Sequence, residues 1–389
     1  MSSLPFDAIT WASLRKRQSA KWRFYPEDVL PAWVAEMDFP IAEPIRRTLQ
    51  TALDDDDVGY ASPLDLGAAF AAWAARTWGW TFAPSDVSVT PDVVTAIELL
   101  LRAATSPGDT VVIDTPVYPP FASTILQTGR VVATAPLARD GARFVMDFDA
   151  VERAYASGAK MHLLCSPHNP SGIVLRENDL TTLANLAERY GVFVLSDEIH
   201  APLALGDAVH RPFPLASETA KHRSIVVTSA SKTWNLAGLK AAMIVATSDE
   251  TRAIVARLPP ETPFHAGHLG VLAARTAFRE GNPWLADVRA TLDRNRSLLR
   301  DLLATHLPEI RYTPPEASYL AWLDCAALNI GDDPAKAFLT RGKVALSSGP
   351  SFGKEGAKYA RLNIATTPAL LEEAVRRMAT AARTTSPAR

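Results

Sequence analysis

Three apolar stretches in the middle of the chain each lead into one polar residue. Residues 163–165, 192–195 and 226–228 are aliphatic or β-branched for the most part, and the polar residues that follow them are Asn169, Asp197 and Lys232. Short runs of this kind are typical of buried strands in a parallel sheet. Ligands bind at the carboxyl ends of strands in open α/β sheets, so we expect these three side chains to share one site.

The residue types at these positions indicate a particular chemistry. Lys232 offers an amine that can form a Schiff base, and Asp197 offers a carboxylate that can hold a pyridinium nitrogen. Pyridoxal 5′-phosphate (PLP) enzymes need both groups. The sequence therefore predicts PLP as the cofactor, and it predicts no metal.

Eight short segments carry a resemblance to a known family. They are WVAEMDF at 33–39, GY at 59–60, PVY at 116–118, SPHNPSG at 166–172, DEIH at 197–200, SASK at 229–232, SYLAWL at 318–323 and RLN at 361–363. In this order and spacing the chain resembles the class I/II aminotransferases of PLP fold type I. It is most similar to the MalY/PatB-like branch of cystathionine β-lyases, which cleave carbon–sulfur bonds, and it departs from that branch at Glu36, where an aspartate is usual.

The resemblance and the length of 389 residues together predict the architecture. An α/β large domain at 46–282 is expected to hold a mainly parallel, seven-stranded sheet between helices, because strands alternate there with helical patterns. An N-terminal arm, which forms part of the small domain, is expected at 1–45, and a small α+β domain at 283–389. Leucine and alanine spacing predicts a helix at 179–190 that ends at Gly191.

Composition excludes several classes of protein. The formal net charge of −2 gives no reason to expect nucleic acid or an anionic membrane as a partner. The two cysteines, Cys165 and Cys325, are too few for a disulfide framework, and neither a signal peptide nor a membrane-spanning stretch is visible. We therefore expect a cytoplasmic protein, and the resemblance implies a small amino-acid substrate.

The cofactor phosphate is expected near the start of a helix. Thr90 is predicted as the N-cap and Pro91 as the first helical residue, so that the next amides point out of the positive end of the helix dipole. The segment alone fits a capped structural helix equally well. The resemblance implies phosphate binding there, by Asp92, Val93 and Val94, with Ser229, Ser231 and Lys240 as further donors. For Lys240, the sequence alone does not distinguish a phosphate-binding residue from an ordinary surface lysine.

The resemblance implies roles for the remaining residues around the cofactor. Tyr118 is expected to stack on the pyridine ring, Asp197 to pair with its nitrogen, and Asn169 to donate to its phenolic oxygen. His200 would lie beside the same oxygen. The alternatives are a packed core tyrosine, an aspartate that caps the next helix, an ordinary turn asparagine and a loop histidine.

Substrate binding is expected to involve Arg361. A guanidinium in an apolar strand needs a planar anion, and its fork of donors fits an α-carboxylate, although a structural ion pair would also satisfy it. The resemblance implies that Asn169 and Tyr60 also contribute to the substrate site. It further implies that Tyr60 reaches across a dimer interface to the cofactor phosphate, so that a homodimer would carry its active sites between subunits.

The predicted activity is β-elimination from an S-substituted cysteine, with Lys232, Tyr118 and Asp197 as the catalytic residues. An aminotransferase would use the same residues and differ only in its leaving-group pocket. A non-catalytic sensor module of a transcription regulator is a third possibility, but it would carry a basic DNA-binding domain before the sheet.

Overall fold

The computed structural model describes residues 4–63 and 65–383, and more of these residues lie in helices than in strands. The α-helices are α1 Trp11–Leu14, α2 Ala20–Arg23, α3 Glu43–Asp54, α4 Leu66–Trp78, α5 Val93–Ala104, α6 Pro120–Gln127, α7 Phe148–Ala156, α8 Glu177–Tyr190, α9 Glu218–His222, α10 Ala230–Thr233, α11 Asp249–Val255, α12 His268–Glu280, α13 Asn282–His306, α14 Pro334–Gly342 and α15 Pro368–Arg383. None of the helices in this part of the chain is both long and apolar enough to cross a membrane.

The strands are short. They are β1 Leu30–Pro31, β2 Val87–Thr90, β3 Thr110–Ile113, β4 Val131–Thr134, β5 Ala138–Asp140, β6 Arg143–Val145, β7 Met161–Cys165, β8 Phe193–Asp197, β9 Ser224–Thr228, β10 Ala242–Val245, β11 Arg311–Tyr312, β12 Leu320–Asp324, β13 Val344–Ala345, β14 Ser347–Ser348 and β15 Tyr359–Asn363.

Seven strands form the central sheet in the order β2-β10-β9-β8-β7-β3-β4. Only β10 runs antiparallel to its neighbours, β2 and β9; the other pairs are parallel. Along β3, Val111 and Ile113 pack into one apolar cluster, whereas Val112 packs into the cluster on the opposite face. Both faces are therefore covered by helices, which explains why these strands are apolar throughout. The predicted mainly parallel, seven-stranded α/β sheet is confirmed.

A second sheet has the order β11-β12-β15-β14 and is fully antiparallel. Helices α13, α14 and α15 pack with it, and their apolar residues join one large core that also contains Phe6, Trp22 and Phe39 from the start of the chain. Strand β1 pairs in parallel with β13, so the N-terminal segment is fixed to the C-terminal part of the protein.

The predicted start of α5 was wrong. Thr90 is the last residue of β2 and is paired with Ala242, so it cannot act as the helix cap. Asp92 is the N-cap, because its carboxylate accepts a 2.8 Å hydrogen bond from the amide of Thr95. Helix α8 begins two residues before its predicted start, at Glu177, and ends as expected at Gly191, whose φ of 67° suits glycine.

Candidate active site

Asn169, Asp197 and Lys232 meet at the carboxyl edge of the central sheet, as the strand pattern predicts. Asp197 ends β8, Asn169 follows the adjacent β7, and Lys232 lies in α10 directly after β9. They line one cavity of about 420 Å³. Nine other predicted site residues line the same cavity: Asp92, Val93, Val94, Tyr118, His200, Ser229, Ser231, Lys240 and Arg361.

Lys232 is a half-buried amine with one close acceptor among the described residues. Its Nζ donates a 3.0 Å hydrogen bond to the carbonyl of Ala35, which comes from the N-terminal segment. Burial, reinforced by the nearby positive charge of Arg361, lowers the pKa of Lys232 to about 8. A large fraction of this amine is therefore neutral near pH 8 and can act as a nucleophile or a base.

Asp197 is a buried carboxylate at the cavity wall. Burial raises its pKa to about 7, and the neighbouring charge of Glu198 adds to the rise. Within residues 4–63 and 65–383, the only hydrogen bond to its carboxylate comes from the amide of Ile199, at 3.1 Å, and a 3-10 turn rather than an α-helix follows. Asp197 is thus not a helix cap, and in this part of the chain it has no salt-bridge partner of the kind that a buried carboxylate needs.

Arg361 projects from β15 toward the other side of the cavity. Its Nη1 donates to the side-chain oxygen of Asn169 at 2.9 Å, and its Nη2 donates to the carbonyl of Trp33 at 3.1 Å and to the hydroxyl of Ser347 at 3.0 Å. Among the described residues no carboxylate pairs with it, and its Nε has no partner. Burial lowers its pKa to about 10. The predicted alternative of a structural ion pair is therefore wrong.

One end of the cavity is suited to a phosphate. Helix α5 points its N-terminus there, and Lys240 lies beside it, bonded to the cap residue Asp92 at 3.1 Å. The Ser229 hydroxyl donates to the carbonyl of Ala241 at 2.6 Å and accepts from the amide of Ser231. Because it has a single hydrogen, Ser229 could donate to a phosphate only by leaving Ala241.

Tyr118 and His200 form part of the cavity wall. Tyr118 is half-buried, and burial raises the pKa of its phenol. His200 is buried, and burial together with the charge of Lys232 lowers its pKa to about 3, so its ring is neutral. Its Nδ1 lies 3.0 Å from the Ser318 hydroxyl. His200 is therefore a buried residue of the site wall rather than an ordinary loop histidine.

Tyr60 does not line this cavity. Its side chain is 87% exposed, on a stretch that also exposes Val58. The 2.9 Å contact between Asp57 and His268 fixes that stretch to the start of α12. The prediction that Tyr60 reaches the site of a second subunit needs a second chain, and it stays a prediction.

Sequence reasoning missed the part that the N-terminal segment plays. Within residues 33–37, called here the 33–37 segment, Val34 and Ala35 line the cavity. Side chains bond to each carbonyl of the segment: Arg361 and Ser347 to Trp33, Asn363 to Val34, Lys232 and Tyr319 to Ala35, Lys21 and Asn363 to Glu36, and Asn235 and Arg17 to Met37. Backbone carbonyls carry no signature in sequence, so only the family motif at 33–39 marks this stretch.

The cavity fits PLP. A pyridinium nitrogen would supply the cation that Asp197 lacks, the Lys232 amine can join an aldehyde, and the α5 end with Lys240 suits a phosphate. The terminal nitrogens of Arg361 donate to neutral acceptors, and the fork that they form suits the carboxylate of a substrate.

Comparison with known proteins gives consistent matches over nearly the whole chain. The family model for aminotransferase class I and II matches residues 36–378. A Mycobacterium leprae protein provisionally named cystathionine beta-lyase is 40% identical over 400 residues, covering 97% of this chain and 98% of that protein. Cystathionine beta-lyase PatB of Bacillus subtilis is 35% identical over 370 residues, covering 93% and 96%.

A solved structure agrees with these relatives. The crystal structure of a protein from Corynebacterium diphtheriae, provisionally described as a PLP-dependent beta-cystathionase, matches with a TM-score of 0.92 and 34% identity. The match covers 99% of this chain and 100% of that chain.

Proposed function

Because the chain belongs to the class I and II aminotransferase family, we propose that it is a PLP-dependent carbon–sulfur β-lyase. Its substrate is an S-substituted L-cysteine of the cystathionine type, and its products are a thiol, pyruvate and ammonia. The observation that carries the proposal is the meeting of Lys232, Asp197 and Arg361 at one buried cavity.

When bound, PLP withdraws electrons from the substrate Cα through its protonated pyridine ring. Asp197 keeps that ring protonated, because a carboxylate beside the pyridine nitrogen favours the cation. Tyr118 would pack against the ring face, and Asn169 and His200 would lie beside the phenolic oxygen. The amides of Asp92, Val93 and Val94, together with Ser229, Ser231 and Lys240, would hold the phosphate.

Arg361 orients the substrate. Its two terminal nitrogens bind the α-carboxylate as a fork and exchange their present neutral acceptors for a charged one. Arg361 occupies only the side-chain oxygen of Asn169, so the Nδ2 amide of Asn169 can donate to the substrate and the cofactor. A fixed carboxylate places the Cα–H bond within reach of Lys232.

Lys232 would hold the cofactor through its amine until a substrate amine replaces it. Its neutral Nζ then takes the proton from Cα, the electron pair left behind forms the Cα–Cβ double bond, and the carbon–sulfur bond breaks with its pair on the thiolate. The remaining three-carbon unit takes up water and yields pyruvate and ammonia. The lowered pKa of Lys232 suits this role as a base.

We further propose a cytoplasmic homodimer with sites at the subunit interface. Val58, Tyr60 and Phe264 are large apolar or aromatic side chains that one chain leaves more than half exposed, and a second copy would cover them. Tyr60 would then reach the phosphate and substrate end of the neighbouring cavity.

The experiment is to incubate the PLP-loaded enzyme with cystathionine, cystine and S-alkyl-cysteines without any oxo acid. A lyase releases thiol and pyruvate in equal amounts over many turnovers. Turnover that stops after one equivalent and resumes on addition of an oxo acid would instead identify an aminotransferase.

A further inference from the structure

The carbonyl oxygen of Ala35 accepts hydrogen bonds from two side chains at once. One donor is the Lys232 amine, at 3.0 Å, and the other is the hydroxyl of Tyr319, at 3.1 Å. Tyr319 lies at the start of the second sheet, so a single backbone oxygen connects three distant parts of the chain.

Among the described residues, the hydroxyl of Tyr319 is connected to the Lys232 amine through this oxygen. Its side chain is completely buried, and its ring meets the ring of His200 edge-on with centroids 6.2 Å apart. Of the described residues, Ala35 and Lys232 belong to the cavity wall and Tyr319 does not. The phenol has one hydrogen, and that hydrogen goes to Ala35.

The backbone around Ala35 is held on both sides. Asn363 donates to the carbonyls of Val34 and Glu36 at 2.8 and 2.7 Å, and Lys21 donates to Glu36 at 3.0 Å. The carbonyl of Ala35 lies between these two, and it accepts hydrogen bonds from Tyr319 and from Lys232. The direction of the Ala35 carbonyl is thereby fixed.

We propose that Tyr319 is a positioning residue that aims the Ala35 carbonyl at the Lys232 amine, and so gives this amine a fixed place whenever it is not joined to the cofactor. The inference rests on the proposed function only in taking Lys232 as the group that receives the Cα proton.

A fixed place matters because the lysine is flexible. Once released, the amine sits on a four-carbon chain with many rotamers, yet it must stay within reach of Cα. The charged groups that act on it are Arg361, Glu36, Asp197 and Lys240. These charges influence its protonation, but none of them is within hydrogen-bonding distance of its Nζ, whereas the Ala35 carbonyl is.

The first test compares Tyr319→Phe with wild type in the PLP-loaded enzyme. We expect kcat to fall about tenfold with KM within about twofold, because alignment rather than substrate binding is lost. Proton removal should become more rate-limiting, so the isotope effect on kcat with Cα-deuterated substrate should rise. Tyr312→Phe is the matched control, since Tyr312 donates to a distant carbonyl, that of Arg296.

The second test needs no turnover. In the cofactor-free protein, trace acetylation at a series of pH values followed by peptide mass spectrometry gives the pKa of Lys232. A well-aimed carbonyl stabilises the ammonium, so this pKa should be lower by about 0.5 in Tyr319→Phe than in wild type. Asn363→Ser should act in the same direction, and the double variant should show less than the sum of the two shifts.

Thiol release tests the lyase activity, whereas the acetylation measurement tests the role of Tyr319 independently of that activity. If wild type releases no thiol, the lyase proposal fails, while the acetylation result still tests Tyr319. An unchanged or raised Lys232 pKa in Tyr319→Phe, or an unchanged isotope effect beside a normal kcat, would show that Tyr319 only packs the core.

Discussion

Arg361 and Asn169 are joined by a 2.9 Å hydrogen bond that crosses the cavity from the second sheet to the central sheet. The bond pairs a buried guanidinium with a neutral amide oxygen, which is a weaker partner than a carboxylate. A substrate carboxylate would therefore meet guanidinium nitrogens that are already aligned. It would replace the side-chain oxygen of Asn169 as an acceptor.

Arg361→Lys should lower kcat/KM for cystathionine by roughly 100-fold, or about 3 kcal/mol, because lysine keeps the charge but lacks the planar fork. Steady-state kinetics of thiol release will measure the loss. Arg139→Lys serves as control, since Arg139 is exposed and outside the cavity. Equal losses in the two variants would mean that Arg361 does not hold the carboxylate.

Lys232 should carry the cofactor. Borohydride reduction of the loaded enzyme followed by peptide mapping should place the pyridoxyl group on Lys232, and Lys232→Ala should abolish that label. Lys240→Ala should keep it, because Lys240 lies at the phosphate end and is bonded to Asp92. A label on Lys240 in wild type would refute the assignment of the site.

The substitution Asp197→Asn should raise the stability of the cofactor-free protein and lower the activity of the PLP-loaded enzyme. Burial raises the pKa of Asp197 from 3.8 to about 7. The folded protein then binds this proton more tightly than the unfolded chain, so the stability of the cofactor-free protein falls as pH rises from about 4 to about 7. At pH 8 the variant should be more stable than wild type by about 2 to 4 kcal/mol in urea denaturation.

The same variant should lose at least about 100-fold in kcat when loaded with PLP, since a neutral amide cannot keep the pyridine ring protonated. Asp140→Asn, at an exposed carboxylate, should change neither property. Wild-type kcat in Asp197→Asn would show that this residue has no part in catalysis.

The rate of PLP capture by the cofactor-free protein should rise with pH and level off above about 8, the pKa of Lys232, because only the neutral amine attacks the aldehyde. Arg361→Gln should move the midpoint to higher pH, since the positive charge of Arg361 helps to lower this pKa. Stopped-flow absorbance will follow capture. A midpoint near 10.5, the ordinary value for lysine, would contradict the desolvated amine seen here.

Tyr60 should act in the neighbouring subunit. When Tyr60→Phe and Lys232→Ala proteins exchange subunits in equal amounts, about one quarter of the sites should be wild type at both positions. Activity should rise accordingly above that of either variant alone. Proven exchange without recovery would place both residues in one subunit's site.

Local sequence patterns predicted the central sheet and the meeting of Asn169, Asp197 and Lys232, whereas the family resemblance supplied most of the other cavity residues. The strands that lead to Asp197 and Lys232 are apolar because both faces of the sheet are buried, and this constraint is visible in the residues themselves. The start of α5 was misplaced because Thr90 and Asp92 are both good caps, and only the pairing of Thr90 with Ala242 decides between them. The Ala35 contact joins residues 197 positions apart through a backbone atom, so no local pattern could reveal it.

The 33–37 segment also has a consequence for the synthesis of this protein. Its carbonyls at Trp33 and Val34 are bonded to Arg361 and Asn363, which follow them by 328 and 329 positions, and β1 pairs with β13, which comes after the central sheet in sequence. The central sheet is complete in sequence by Val245. A nascent chain can therefore fold the sheet early, yet it has no finished site until Asn363 has been added. A truncated translation product that ends before Arg361 would be folded in part and unable to turn over substrate.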